Sequence, residues 1–233
     1  MSSSAAPAIT GKVFARTASV RIDNACNSFL NDCFRQFGIH IVPLPGDPVV
    51  LFKRQKFEAC VLRLYDPDAE KVLQAARNSP SNKKIVIYGI ARTTQEALRY
   101  SNYGINAVLD EPLDRQSVLK VVRATHLLVI HELRRYVRVP VVTEAVIENG
   151  GRRFEALTVE MSSGGMSVRC PNSMPPSDPI NVSFALPGNV PVTVRAHVCW
   201  SKPSEKLCGL RLDPTDERRF RIRSWIDQYL EIV

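Results

Sequence analysis

Two arginines separated by three residues, Arg134 and Arg138, stand just past the middle of the chain. Arginine is always charged, and its planar fork of N–H donors fits a phosphate group. The same spacing also arises by chance in an arginine-rich chain, and such a pair can simply keep a connecting segment hydrated. The arginine pair alone therefore leaves two interpretations open, an anion site and a solvated linker.

A second polar motif follows at the end of a predicted strand, where residues 160–165 are EMSSGG. Its elements are Glu160, a serine two residues later (Ser162) and a glycine five residues later (Gly165). A serine and a glycine pair at such a place can turn the backbone. This combination is rarer than the arginine pair. Because both motifs fall in the same half of the chain, together they favour an anion site.

The second half has the pattern of a small antiparallel barrel. From Val139 onwards apolar and polar residues alternate, and Gly and Pro pairs separate the runs. Several short strands with tight turns are typical of such barrels. A helix is predicted to follow, capped by Asp213 with Pro214 in its first turn. The six predicted strands are residues 141–147, 153–161, 166–170, 180–186, 192–200 and 208–212.

The first half has the pattern of an α/β domain. Apolar strands alternate with amphipathic helices between Lys12 and Leu133, which predicts a parallel sheet with helices on both faces. The first strand is expected at 13–15, and the last helix from Arg115 to Leu133. Residues 1–11 are rich in serine and alanine and are expected to form a disordered tail.

The second half resembles the PilZ domain, a bacterial receptor module for cyclic di-GMP. The resemblance rests on RRYVR, the strand start VPV, EMSSGG, RAHVCW and CGLRL, which occur in the order and spacing of that family. It implies that residues 131–233 form the domain, with an N-terminal arginine arm and a C-terminal helix. The chain departs from the family pattern at Glu160, where the family has Asp or Asn.

This resemblance implies cyclic di-GMP as the ligand, without a metal. Arg134 and Arg138 would hold its phosphate and guanine groups from a flexible arm. Glu160 would accept hydrogen bonds from the guanine N1–H and N2–H₂ groups, and Ser162 would contribute its hydroxyl to the phosphate. Gly165 would let the backbone approach the ligand closely. Since Glu is one methylene longer than Asp, the acceptor moves by about an ångström, which could take it out of reach of the guanine or be absorbed by side-chain rotation.

Residues 12–130 resemble a response-regulator receiver domain that has lost its chemistry. A receiver needs an acidic pocket for Mg²⁺, an aspartate that accepts the phosphoryl group and a lysine. Pro67 and Pro112 align Arg63 with that aspartate and Glu111 with that lysine. We therefore expect an Arg63–Glu111 ion pair in a scaffold that binds a protein partner. Asp66 is the remaining candidate phosphoacceptor, but it lacks visible metal-binding partners.

Composition narrows the function classes. The sequence has no apolar run long enough to cross a bilayer, and its six cysteines and four histidines have no metal-ligand spacing, which predicts a cytoplasmic protein without a metal. The net charge of +8 is spread along the chain, which argues against DNA binding. Catalytic motifs are missing, so an enzyme is not expected.

The leading hypothesis is therefore a cytoplasmic bacterial signalling effector that binds cyclic di-GMP and changes its domain arrangement or its partner binding. The alternative is a protein of the same two domains that binds other proteins and not the nucleotide. A homodimer stays open in both cases.

Overall fold

The computed structural model describes residues 14–170, 179–188 and 190–229, and the expected tail at 1–11 lies outside them. The chain divides into two compact units between Leu133 and Arg134, three residues later than the expected boundary. The long helix before the boundary runs from Arg115 to Arg134. Near its end, Glu132 is held by Lys56 of the first unit at 2.7 Å.

The first unit is a five-stranded parallel sheet in the order β2-β1-β3-β4-β5. Its elements are β1 (Ala15–Val20), α1 (Asn24–Phe34), β2 (Ile39–Pro43), α2 (Pro48–Arg54), β3 (Ala59–Arg63), α3 (Ala69–Asn78), β4 (Val86–Ala91), α4 (Thr94–Arg99), β5 (Ala107–Asp110) and α5 (Arg115–Arg134). Every residue of β4 is buried, because helices cover both faces of the sheet. This confirms the predicted α/β class. The strand order places the topological switch point between β1 and β3, where binding sites of such sheets usually lie.

The first strand was predicted too early in the sequence. It runs over Ala15–Val20, not 13–15, and it pairs with β2 on one side and β3 on the other. Two of its buried residues are polar, Thr17 and Ser19, and these interrupt the apolar pattern that predicts a buried strand. Ser19 is satisfied by a hydrogen bond from its hydroxyl to the side-chain oxygen of Asn27 at 2.5 Å.

The second unit is a closed antiparallel barrel of six strands, as the alternation predicted. Its elements are β6 (Val139–Pro140), β7 (Glu144–Asn149), β8 (Arg152–Ser162), β9 (Gly165–Arg169), β10 (Ile180–Leu186), β11 (Val190–Lys202), β12 (Leu207–Leu212) and α6 (Arg219–Tyr229). The barrel order is β8-β7-β10-β11-β12-β9, and β9 pairs again with β8 to close the ring. The short strand β6 adds to β8 outside the ring. Its core contains Ile147, Met161, Met166, Val182, Val194 and Leu210 among others.

The C-terminal helix begins six residues later than predicted. Asp213 accepts hydrogen bonds from the backbone N–H and the hydroxyl of Thr215, which forms a local turn instead of a helix cap. Asp216 then accepts from the backbone N–H groups of Arg195 and Arg218 at 2.7 and 3.0 Å. These contacts hold residues 213–218 in turns before the helix starts. In the described part of the chain, no helix combines the length and the apolar character that spanning a bilayer requires.

Candidate functional site

A cleft of about 380 Å³ lies on the outer face of the barrel, where β8, β9, β12 and β11 are neighbours. Side chains alternate between the two faces of a strand, so the paired residues form rows across this face. The strand register gives two such rows: Glu160, Ser167, Gly209 and Trp200 in the first, and Ser162, Gly165, Arg211 and His197 in the second. The barrel thus brings the Glu160–Gly165 motif next to residues from two strands much later in the chain.

Positive charge dominates the cleft. Arg135, Arg138 and Arg211 line it together with the polar turn between β8 and β9. Among the described residues that line it, none is an Asp or a Glu. Guanidinium groups that converge on a polar turn favour an anionic ligand with planar or phosphate groups.

The turn between β8 and β9 is held by its own serine. The Ser162 hydroxyl donates to the carbonyl oxygen of Gly165 at 3.0 Å and accepts from the N–H of Gly165 at 3.1 Å. Gly165 also has a packing reason to be glycine, since a Cβ there would collide with the carbonyl oxygen of Leu210 on β12. Both residues therefore shape the rim of the cleft even before any ligand is considered.

Arg138 and Glu160 meet at this rim. The guanidinium of Arg138 lies 3.4 Å from the carboxylate of Glu160, and both side chains remain substantially exposed. The pairing of β6 with β8 explains this proximity, because Val139 lies opposite Met161 and Pro140 opposite Glu160. Arg138, directly before β6, is thereby delivered to the site.

Arg134 is placed differently from Arg138. Its Nε donates to the Asp227 carboxylate of α6 at 2.7 Å, and both side chains are about four-fifths buried. Its carbonyl oxygen accepts a 3.4 Å hydrogen bond from the Ser163 hydroxyl, so its backbone lies beside the β8–β9 turn. The structure therefore brings the main chain of Arg134 to the site and turns its side chain towards α6.

Among the cleft residues that were not predicted as site residues, Arg135, Trp200 and Arg211 have side chains suited to a planar anion. The indole of Trp200 covers Gly209, where a Cβ would overlap the indole ring. The ring is 43% exposed and presents an aromatic surface in the cleft. The sequence does contain a signal for two residues of this face. Apolar residues of β12 alternate with Gly209 and Arg211, and this alternation predicts that Gly209 and Arg211 face outwards.

In the first unit, the Arg63–Glu111 ion pair expected from the sequence is present, with 3.7 Å between Nε and the carboxylate. Arg63 also binds Asp23 at 2.7 Å. Glu111 accepts a 2.7 Å hydrogen bond from the Tyr65 hydroxyl and pairs with Arg92 at 3.0 Å. The Tyr65 hydrogen bond, followed by the two arginines, lowers the pKa of Glu111. The carboxyl end of the sheet is thus occupied by a network of mutually compensating charges.

Asp66, the remaining candidate phosphoacceptor, belongs to a neighbouring network. Arg21 pairs with Asp66 at 3.2 Å and with Asp68 at 2.5 Å. Across the described ranges of both units, no group of three or more His, Cys, Asp or Glu side chains could hold a metal ion.

Comparison with known families assigns the second unit. Residues 132–231 match the PilZ domain family. This part of the chain is a PilZ domain. The family binds cyclic di-GMP, and PilZ domains are regulatory and not catalytic. The match begins in the last turn of α5 and includes both arginines, the barrel and α6.

Solved structures similar to the chain include both kinds of domain. The receiver domain of a sensor histidine kinase from Pseudomonas aeruginosa PAO1 is 14% identical, with a TM-score of 0.42, over 49% of this chain and 98% of that one. The chemotaxis response regulator CheY4 of Vibrio cholerae is 13% identical, with a TM-score of 0.42, over 48% and 98%. The PilZ domain of CeSA from a cellulose-synthesizing bacterium is 16% identical, with a TM-score of 0.33, over 39% and 94%. No curated protein matches the sequence significantly.

The PilZ domain brings four of the five predicted site residues to one place. Arg138, Ser162 and Gly165 line the cleft, and Glu160 lies against Arg138. The fifth, Arg134, contributes backbone to the rim while its side chain is bound to α6. The functional roles of the five residues stay predictions.

Proposed function

We propose that the protein is a cytoplasmic bacterial signalling effector whose PilZ domain binds cyclic di-GMP in the cleft between β8, β9, β12 and β11. The observation that carries this proposal is the convergence of three arginines, the Ser162–Gly165 turn and an exposed indole on one cleft of a PilZ domain. Cyclic di-GMP carries two negative phosphates and two flat guanines. Such a ligand matches a surface with guanidinium groups for charge and an aromatic ring for stacking.

Six residues in and beside the cleft have a proposed contact with the ligand. Arg138 binds phosphate or the O6 and N7 edge of guanine, as a bidentate donor would. Glu160 accepts from guanine N1–H and N2–H₂. The indole of Trp200 stacks on a guanine, and Arg135 and Arg211 add positive charge around the phosphates. The Ser162 hydroxyl, which already fixes the turn, contributes to the phosphate contact.

The long side chain of Glu160 is compatible with this proposal. The carboxylate lies 3.4 Å from Arg138, which holds its end at the rim of the cleft. A guanine can bind such a pair on its two edges at once, since it presents acceptors on one edge and donors on another. Because Arg138 fixes the end of the Glu160 side chain, the extra methylene relative to Asp does not prevent the carboxylate from meeting the guanine.

The signal is proposed to pass through the segment that follows α5. Arg134 is the last residue of α5, and Arg138 follows it by one short segment, so a ligand that pulls on these arginines acts directly on the end of the helix. The ligand must prefer one arrangement for this to shift a population. The receiver-like unit, with its charge network in place of phosphotransfer groups, is proposed to bind a protein partner that reads the change.

Calorimetric titration of the full chain with cyclic di-GMP tests the binding. We expect Arg138→Ala to raise the Kd by about 10- to 150-fold, because a charge-assisted hydrogen bond contributes about 1.5–3 kcal/mol. Arg152→Ala removes an equal charge from the exposed start of β8 and serves as the matched control. Absence of heat with folded wild-type protein at micromolar concentrations would rule out the proposed ligand.

A second function, a protein-binding module without the nucleotide, is favoured by one observation. Glu160 and Ser162 are both engaged within the domain, by Arg138 and by Gly165 respectively. If this engagement blocks the ligand, Glu160→Asp should create binding that the wild-type protein lacks. Binding by the wild type would remove this alternative.

A further inference from the structure

The side chain of Arg134 has a partner that competes with any ligand in the cleft. Its Nε lies 2.7 Å from the Asp227 carboxylate, and the exposed fractions of the two side chains are 18% and 21%. Asp227 lies on α6, which packs along β8 and β11. While its Nε stays on this carboxylate, the guanidinium is held towards α6 and its charge is already compensated.

The backbone of Arg134 is already at the place where a ligand would need it. Its carbonyl oxygen accepts from the hydroxyl of Ser163, which itself lines the cleft. Because the backbone lies beside the turn, rotation about the side-chain bonds would carry the guanidinium from α6 towards the cleft. The two positions of the side chain form a simple two-state element.

We propose that Asp227 is a latch that holds Arg134 away from the ligand, and that cyclic di-GMP binding transfers Arg134 from Asp227 to a ligand phosphate. This proposal rests on the proposed function of the cleft. Asp227 is thus a positioning residue that lowers the affinity, because only the fraction of molecules with the latch open binds with all its contacts.

The transfer also leaves α6 without one of its anchors. Ile222 and Ile226 stay buried and keep the helix on the barrel, so the change is confined to the charged contact. We expect amide hydrogen exchange within α6 to become faster when cyclic di-GMP binds, since loss of an ion pair favours local opening. Binding that did not involve the latch would leave this exchange unchanged or slow it.

The test is a titration of the full chain with cyclic di-GMP after Asp227→Asn. We expect the Kd to fall by about threefold to tenfold, as it would if the open fraction rose from roughly 10–30% towards one. The Asn side chain has the same shape, and Asp227→Ala provides a second variant in case the amide still holds the guanidinium. Glu217→Gln removes an equal charge from the exposed segment just before α6 and controls for a general electrostatic gain.

A double-mutant cycle separates the latch from other effects. With Arg134→Ala present, Asp227→Asn should give no further gain in affinity, because the residue that is released is gone. Three results would overturn the latch while leaving the cleft as the binding site. The first is an equal gain in affinity from Asp227→Asn in the Arg134→Ala background, and the second is an equal gain in affinity from Glu217→Gln. The third is unchanged or weaker binding by both Asp227 variants. Loss of binding in the wild type itself would instead overturn the proposed function, and the latch with it.

Discussion

A methyl group at Gly209 should displace the indole of Trp200 and so reveal how much this ring contributes to stability and to ligand affinity. Gly209 lies on β12 directly opposite Trp200 of β11. A Cβ on Gly209 would overlap the Cε2, Nε1 and Cζ2 atoms of the indole, so Gly209→Ala forces the ring to move. Because the ring is 43% exposed, it can swing outwards without separating the strands.

The size of the effect follows from the covered area of the ring. A tryptophan side chain of roughly 250 Å² that is a little over half covered hides about 140 Å², which at about 25 cal/mol per Å² corresponds to about 3.5 kcal/mol. A partial displacement should therefore lower the free energy of unfolding of the barrel by about 1–2 kcal/mol. Stacking of a base on an aromatic ring contributes about 1–3 kcal/mol, so the Kd for cyclic di-GMP should rise by about 5- to 150-fold.

Intrinsic fluorescence measures the movement. The chain has two tryptophans, so Trp225→Phe isolates the emission of Trp200. In that background Gly209→Ala should shift the emission to longer wavelength and weaken ligand binding. Gly164→Ala is the control for folding and emission only, because a Cβ there meets no other atom of the protein, although Gly164 itself lines the cleft. A folded Gly209→Ala protein with unchanged emission and unchanged affinity would refute the proposed contact between ring and glycine and the stacking role.

Four further predictions concern stability and phosphorylation. Gly165→Ala should cost about 2–3 kcal/mol in chemical denaturation, since the new Cβ meets a backbone oxygen that cannot rotate away, whereas Gly164→Ala should be nearly neutral. Arg63→Ala should destabilise the first unit by about 1–2 kcal/mol in the same assay, and acetyl phosphate should leave the intact mass of the wild type unchanged. Arg218 holds the pKa of Asp216 well below its ordinary value of 3.8, so the stabilisation by Asp216 is complete above that value and is lost only as the pH falls below it. Asp216→Asn should therefore lower the melting temperature at pH 7 and bring it closer to the wild-type value in strong acid.

The strands of the barrel could be predicted because their pattern is local. Alternating apolar residues define a buried face, and residues 180–186 were predicted with the bounds of β10. The pairing of β9 with both β8 and β12 could not be predicted, since it depends on closure of the ring. This closure is what brings the Glu160–Gly165 motif beside Trp200 and Arg211.

The beginning of α6 shows the limit of local signals. Asp213 and Pro214 are residue types that often begin a helix. The Asp213 carboxylate instead accepts a hydrogen bond from the N–H of Thr215, and the Asp216 carboxylate accepts one from the N–H of Arg195. Arg195 lies on β11, far away in sequence, so the contact that delays the helix is a tertiary one. A capping preference of about 1 kcal/mol is easily exceeded by such charge-assisted hydrogen bonds.

The two arginines of the RRYVR motif, Arg134 and Arg138, lie apart in the structure, and their separation has a physical reason. A spacing of four places two side chains on one face of a regular helix or of a regular strand, and residues 135–138 form neither. Here α5 ends at Arg134, and the chain turns before it reaches β6, so Arg138 leaves the helix axis and is delivered to Glu160. Arg134 keeps the direction set by the helix end and meets Asp227. The two guanidinium groups therefore have different partners, Asp227 and Glu160, and this separation is a property of the fold, which the motif itself does not contain.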